Sequence, residues 1–364
     1  MSFFLIVIFL VFAAAIIVIA AVAMRQDKAH QGVSTPAPSA SPQMKATQKA
    51  LAAGLPHTTD ATTNAVAECF KLAFSVAHFD TKLGGEHAAV LSAVADSIDT
   101  SVHKRDYFPR RPMQLPKLLQ ALNDSEATRK DIVRLIMEDP ALAGSVLQRA
   151  NSAFYRLSPE PVESIDRAVV MLGTEGLRGL MAAAILQPVF RVPRGYFDKF
   201  AGITWEQAER TSIAAEKFAK LSAGTDPFVA QLMGMLSMLA NIVLFRLTMD
   251  KYRDHPNVPP RAEVFISAIQ AHRARMATLI ATTWELTDVS LKALQEQEQQ
   301  VSPQQMSTLG RAIYFGTLCG ALTTLAAHEL CSAADAQSIL MAQGLDQAIC
   351  TALWTAASAV KRAD

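Results

Sequence analysis

Histidine is the residue type in this sequence best suited to binding a metal or transferring a proton, and eight are present. None is followed by Asp, and no two are spaced as a chelating pair on one helix face. His328 and Glu329 begin an HExxH zinc motif, but position 332 is Ser instead of the second histidine. We interpret every histidine as a surface or core residue rather than a ligand: His30, His57, His78, His87, His103, His255, His272 and His328.

Other familiar catalytic patterns are missing from the sequence. It has no GxxxxGK[ST], GxSxG or GxGxxG motif, which excludes the usual phosphate loops and the nucleophile elbow. The paired carboxylates Glu206 and Glu209 are interpreted as lying on a charged, solvated helix face. The four cysteines form no CxxC pair, and we interpret them as reduced core residues: Cys69, Cys319, Cys331 and Cys350.

Composition and periodicity predict an all-α protein. The 364 residues are 51% hydrophobic and 18% charged, which excludes a disordered chain. The formal net charge of +1 gives no overall field to attract nucleic acid, so we predict no nucleic-acid partner. Beyond Leu115, apolar residues recur at helical spacing, and no stretch alternates long enough for a strand. The prediction is a transmembrane helix, a spacer and a compact multi-helix domain with helical extensions.

The first 24 residues are predicted to anchor the chain in a membrane. Phe3 to Met24 carries no charge, and as a helix it would be roughly 33 Å long, enough to cross a hydrocarbon core. A cleaved signal peptide is the alternative, but no Lys or Arg precedes the run. Basic residues dominate between Arg25 and Lys49, which favours a single pass through the inner membrane with the C-terminal domain in the cytoplasm. The bilayer, through residues 3–24, is thus one expected partner.

Two segments separate the anchor from the main domain. Residues 25–58 are rich in Pro, Ser and Ala and are predicted to be a linker. Residues 59–110 show helical periodicity in two stretches and are predicted to be a helical hairpin extension. A basic patch at its end could contact phosphate or lipid headgroups, although a solvated linker has the same composition: Lys104, Arg105, Arg110 and Arg111.

Local signals mark three helices after the extension. One is expected to open near Asp124 or Ser125, and the next at Asp139-Pro140, with Asp as N-cap and Pro in the first turn. Leu142 is predicted to lie on the buried stripe of that second helix. The third is expected to begin after Ser164 and to stop at Gly173, with Thr174 opening a further helix.

Three phrases between residues 115 and 186 resemble the HDOD domain, a relative of the HD phosphohydrolases. They are DPAL from Asp139, ANSAFY from Ala150, and SI followed by LG at Leu172-Gly173. The resemblance covers about 111–300, and the remaining 301–364 is predicted to form C-terminal helices packed on this domain. It implies a compact all-α domain used in bacterial signalling, mostly without enzymatic activity of its own.

The resemblance also implies where a metal would be bound in catalytic relatives. Ser237 and Met238 stand where the adjacent His-Asp pair would be, and no histidine follows Trp205. Near Trp284 only His272 remains, and the downstream histidine pair is replaced by residues 295–297, Gln-Glu-Gln. One imidazole cannot hold a metal alone, so we expect no metal, no cofactor and no catalytic residue.

The family signature residues are predicted to maintain the fold rather than to contact a ligand. Asn151 is expected to satisfy backbone groups at the end of its helix, and the aromatic pair after it to supply apolar area. The signature comprises Asp139, Pro140, Leu142, Asn151, Ser152, Phe154, Tyr155, Leu172 and Gly173.

The function expected from these observations is a membrane-tethered, non-catalytic signalling or scaffold protein that docks a cytoplasmic signalling protein. Two alternatives stay open. One is a metal-dependent phosphohydrolase or cyclic-dinucleotide phosphodiesterase whose site the sequence does not display. The other is a nucleotide-sensing domain without turnover, which would use the pocket left by the lost metal site.

Overall fold

The computed structural model describes residues 61–79, 82–100, 117, 120, 128–138, 140–151, 160–186, 192, 195–360 and 362, with backbone alone for some helical residues before 186. These residues form helices and no β-strand, as the composition predicted. The predicted anchor and linker lie outside them. The helices are α1 (Ala61–Phe74), α2 (Gly85–Ser97), α3 (Arg129–Met137), α4 (Pro140–Ala150), α5 (Ile165–Leu186), α6 (Lys199–Leu221), α7 (Pro227–Arg253), α8 (Ala262–Thr283), α9 (Asp288–Glu298), α10 (Thr308–Ala327), α11 (Ala333–Ala342) and α12 (Gln347–Ser358).

Side-chain caps fix where several of these helices begin. The Asp226 carboxylate accepts from the backbone N–H groups of Phe228 and Val229 at 2.7 and 3.1 Å, with Pro227 in the first turn of α7. The N-terminus of α3 differs from the prediction near Asp124 or Ser125. It is capped at Thr128, whose N–H donates to Asp131, and this local pair sets the start of the helix.

Helix α5 is two helices joined at a glycine. Gly173 has φ 64° and ψ 177°, a left-handed value of φ that favours glycine over every other residue type. This is the break that the sequence predicted after Leu172. The chain can therefore change direction there and continue as the Ala-rich helix that ends at Leu186.

Four long helices form the centre of the bundle: α6, α7, α8 and α10. Helix α6 has its largest interfaces with α10 and then α7, and α7 also packs along α8. Helix α1 packs on α10, α6 and α8, while α2 packs on α8 and α7, so both make their main contacts with the centre rather than with each other. Helices α3, α4 and α5 form a smaller group that reaches the centre through α5 and α7.

Aromatic side chains join four of these helices. The rings of Phe200 on α6 and Phe245 on α7 stack with centroids 4.4 Å apart. Phe74 on α1 lies 4.9 Å from Phe200, and Phe265 on α8 lies 5.0 Å from Phe245. Because each ring buries a large apolar area, this cluster ties α1 into the same core as the rest of the domain.

Helices α6 and α10 approach each other closely where α10 carries glycine. A Cβ on Gly316 would lie 2.8 Å from the Cβ of Ala215, and one on Gly320 would lie 2.8 Å from the Cα of Thr211. Neither distance can be accommodated without moving a helix. The two glycines therefore set the spacing of the largest helix interface in the described part of the chain.

Helix α7, with 27 residues, is the longest of the described helices. Among the described residues it alone has the length and composition that could cross a membrane. Its most apolar window is 89% buried within the bundle, which is how the core helix of a folded domain looks.

Candidate functional site

Ser237 and Met238, the positions of the lost His-Asp pair, lie in the middle of α7. The Ser237 hydroxyl donates to the Gly234 carbonyl of its own helix at 2.7 Å. The Met238 side chain is buried, and its sulfur lies 3.9 Å from Nδ2 of Asn241. Both side chains thus contact neighbouring residues of their own helix.

A small cavity of about 40 Å³ lies beside this pair. Its other walls include Thr62 of α1, Arg273 of α8 and Gln297 of α9. A divalent cation there would meet a hydroxyl, a thioether and a positively charged guanidinium, none of which suits a hard cation. The residues present do not fit the metal that the family resemblance implies.

No three His, Cys, Asp or Glu side chains group into a potential metal site within the part of the chain that the structure describes. His272, the one histidine retained near Trp284, lines a second and larger cavity of about 340 Å³. Burial, together with the charge of Arg275, lowers the pKa of His272, so this imidazole is neutral near pH 7.

The residues that replace the downstream histidine pair have separate roles. Glu296 is buried and turns toward the start of α10, where it accepts from the Ser307 N–H at 3.1 Å and the Ser307 hydroxyl at 2.8 Å. Gln297 donates to the Gly310 carbonyl at 3.0 Å and lines both cavities. Gln297 therefore lies at the two cavities, whereas Glu296 lies away from them.

Of the signature residues, Asn151 has the clearest structural role. Its side-chain N–H₂ donates to the carbonyls of Leu147 and Val162 at 3.0 and 2.8 Å, and its Oδ1 accepts from the Val162 N–H at 2.6 Å. It thus joins the end of α4 to the segment before α5, and Pro140 begins α4 as the sequence predicted. The remaining predicted positions lie outside the described residues, or only their backbone is described: Lys104, Arg105, Arg110, Arg111, Asp139, Leu142, Ser152, Phe154, Tyr155 and Leu172.

A buried ionic cluster corrects the interpretation of Glu206 as solvated. Its side chain is 1% exposed and accepts from Nε of Arg210 at 3.0 Å and from Nε2 of His328 at 3.0 Å. Arg210 also donates to the carbonyls of Ala357 and Val360 at 3.0 and 2.9 Å. The sequence shows only an i,i+4 charge pair, a pattern that solvated and buried pairs share.

Arg273 is the second charged residue that the sequence interpretation missed. It lies one helical turn after Ile269 and one turn before Ala277, both of which are buried on the apolar stripe of α8. An arginine at a position where the helical period requires an apolar residue is a detectable signal. It marks the wall shared by the two cavities.

The cysteines are buried and free, in agreement with their interpretation as core residues. Burial raises the pKa of the Cys69 and Cys319 thiols well above the ordinary value, and raises that of Cys331 to about 11. Thiols with raised pKa values carry almost no reactive thiolate at neutral pH. None of these cysteines has the environment of a nucleophile.

These helices and cavities define an all-α domain with a pocket of about 340 Å³ between α1, α8 and α9. The model of the HDOD domain family matches residues 108–300, which is more than half of the chain. The protein therefore belongs to the HDOD family.

One curated relative matches about half of this chain. An uncharacterized protein from Treponema pallidum (strain Nichols) is 27% identical over 211 residues, which cover 54% of this chain and 37% of that protein. The chain thus spans little more than a third of that relative's length.

Two crystal structures resemble the protein. The structure of a provisionally assigned phosphohydrolase from Shewanella amazonensis SB2B is 21% identical and covers 75% of this chain and 98% of its own, with a TM-score of 0.50. That of a provisionally assigned signal transduction protein from Marinobacter aquaeolei VT8 is 18% identical and covers 86% of this chain and 67% of its own, with a TM-score of 0.48. At these identities the first likeness establishes a shared fold and nothing about activity.

Proposed function

We propose that this protein is a non-catalytic HDOD signalling or scaffold protein, held at the inner membrane by residues 3–24 and acting through contacts with a cytoplasmic signalling protein. The observation that carries the proposal is the pair Ser237 and Met238 beside Arg273. Metal-assisted hydrolysis needs a cation with several oxygen or nitrogen ligands and an open position for water. A fixed guanidinium and a thioether supply neither.

Direct measurement of metal and hydrolysis tests this proposal. The full chain, purified in detergent and dialysed, is expected to hold no stoichiometric transition metal. It is also expected to leave nucleotides and phosphodiesters unchanged with Mn, Mg, Fe or Ni. The matched control is the His272→Ala variant, because His272 is the histidine that lines the larger cavity. Activity equal in both proteins would identify a contaminant, whereas bound metal with turnover lost in the variant would establish the phosphohydrolase alternative.

The membrane anchor is tested separately. An alkaline phosphatase reporter fused after Asp364 is expected to be inactive, because basic residues after the apolar run favour a cytoplasmic C-terminus. A green fluorescent reporter at the same position is the positive control. Strong periplasmic phosphatase activity, or a mature chain beginning after the apolar run, would contradict the proposed topology.

A second candidate function is the sensing of a nucleotide or other small ligand without turnover. The larger cavity supports it, since about 340 Å³ lies within the usual size range of small-molecule sites. Its walls are largely polar, and one is Arg273. Sensing and scaffolding are compatible, because ligand binding could change which surface is offered to a partner.

A further inference from the structure

The larger cavity is bounded by three helices from different parts of the chain. Thr63 and Val66 come from α1, the stretch from Gln270 to Arg275 comes from α8, and Gln297 comes from α9. A pocket built on three packed helices has walls held in place by the core. It is therefore largely formed before any ligand arrives.

Arg273 stands out among the residues that line this cavity. Its Nη1 atom is closed off from solvent, and no described residue provides a hydrogen-bond acceptor for it. Burial lowers the pKa of the guanidinium to about 10, which still leaves it charged at neutral pH. An enclosed nitrogen of a charged group without an acceptor is unfavourable, so the folded chain without a ligand keeps Arg273 at a cost in stability.

The surrounding charges do not neutralise Arg273. Arg275 on the same helix forms its own ion pair with Asp99, at 2.6 Å. His272 is neutral near pH 7 because burial lowers its pKa. The carboxylate in the cavity wall is Glu298, which is exposed to solvent. The described part of the pocket thus has largely polar walls, and Arg273 brings to them an enclosed nitrogen without an acceptor.

We propose that this cavity binds a phosphate group, either free or as a phosphate monoester, with Arg273 as its principal contact. The planar guanidinium matches the oxygens of a phosphate in pairs. Hydroxyl and amide groups of Thr63 and Gln270 add neutral hydrogen-bonding capacity around the charge. The guanidinium lies beside the position where relatives would hold a metal, so a fixed positive charge of the chain itself takes the place of a bound cation.

This inference deepens the second candidate function by naming its ligand class, and it does not depend on membrane anchoring or on a protein partner. The test is a thermal shift series on the full chain with inorganic phosphate and with adenosine monophosphate, at a matched ionic strength set with chloride. Both probes share the phosphate, so a response to either supports the proposal. A response to the nucleotide alone identifies the monoester as the source.

The expected result is a rise in melting temperature that saturates with the probe, since a ligand of the native state stabilises it. Arg273→Met is expected to weaken phosphate affinity about tenfold or more, because a charge-assisted contact is lost. Arg253→Met is the matched control, because Arg253 lies on α7 outside the cavity wall and is already paired with Asp250. It is expected to keep the response within about twofold of the unmodified chain.

Arg273→Lys provides a second variant, which keeps the charge and loses the planar fork. It is expected to bind with intermediate affinity. The proposal is overturned if neither probe shifts the melting temperature at about 10 mM, or if folded Arg273→Met responds like the unmodified chain. Binding accompanied by hydrolysis of the monoester would instead overturn the non-catalytic function while leaving the phosphate site in place.

Discussion

Two arginines on central helices that both pack on α7 differ in how their charge is satisfied. Arg210 on α6 is bonded to Glu206, which also contacts His328, and to two backbone carbonyls near the end of the chain. Arg273 on α8 has a nitrogen without an acceptor among the described residues. A saturated arginine holds parts of the chain together, whereas an unsaturated one beside a cavity is available to something from outside.

The difference lies in the surroundings of each residue rather than in its type. Arg210 joins α6 to the last turn of α12 and to Val360 just after it, and Glu206 reaches His328 at the end of α10, so the cluster fixes three elements. Arg273 joins nothing that the structure describes. Substitutions at Arg210 and at Arg273 are therefore expected to change the free energy of unfolding in opposite directions.

The largest expected effect is at Arg210. Arg210→Ala leaves the enclosed Glu206 carboxylate without its guanidinium partner, and leaves two carbonyls without this donor. Removing one partner of a buried ion pair lowers the free energy of unfolding by about 3–5 kcal/mol. Urea denaturation followed by circular dichroism measures it.

Arg253→Ala is the matched control for that experiment. Arg253 forms an exposed ion pair with Asp250 on α7, so its loss should change the free energy of unfolding by less than about 0.5 kcal/mol. Similar losses in the two variants would show that the buried cluster has no special role.

A smaller effect is expected at His328. His328→Ala removes one hydrogen-bond partner of Glu206 and leaves its ion pair with Arg210 in place. Loss of a hydrogen bond to a buried charged group lowers the free energy of unfolding by about 1–3 kcal/mol. His78→Ala, at an exposed position after α1, controls for loss of an imidazole. Equal midpoints in urea for the two variants would exclude a contribution of His328 to the cluster.

The smallest effect is expected at Arg273, with the opposite sign. Without any ligand, Arg273→Met replaces a charged group that has an enclosed nitrogen without an acceptor by an apolar chain of similar length. We therefore expect the free energy of unfolding to rise by about 1 kcal/mol. The same urea titration in phosphate-free buffer decides it. A loss of stability would mean that Arg273 supports the fold, and the comparison with Arg210 would then fail.

The sequence predicted the features that depend on nearby residues. The helix start at Pro140, the break at Gly173 and the bonding of Asn151 follow from local propensities, which short-range patterns carry. The start of α3 was misplaced because Thr128 and Asp131 form a capping pair that competes with the signals upstream.

The two charged features required the tertiary structure. Glu206 and Arg210 show the same spacing whether a helix face is solvated or buried, and their burial depends on α10 and on chain some 150 residues away. Arg273 could have been noticed on its apolar stripe, but its missing acceptor is visible only when α1, α8 and α9 are placed together. Such features depend on packing between distant segments, which no local pattern records.

The close contact of α6 and α10 has a consequence for how this protein can be divided into fragments that fold. The family match ends at residue 300, yet α10 begins at Thr308, and its glycines seat it directly on α6. A gene fragment that stops at residue 300 would encode a domain without α10. The apolar surface of α6 that packs on α10 would then be exposed to water. In this protein the packed unit therefore extends beyond the residues that the family model matches, and a fragment meant to fold should include α10.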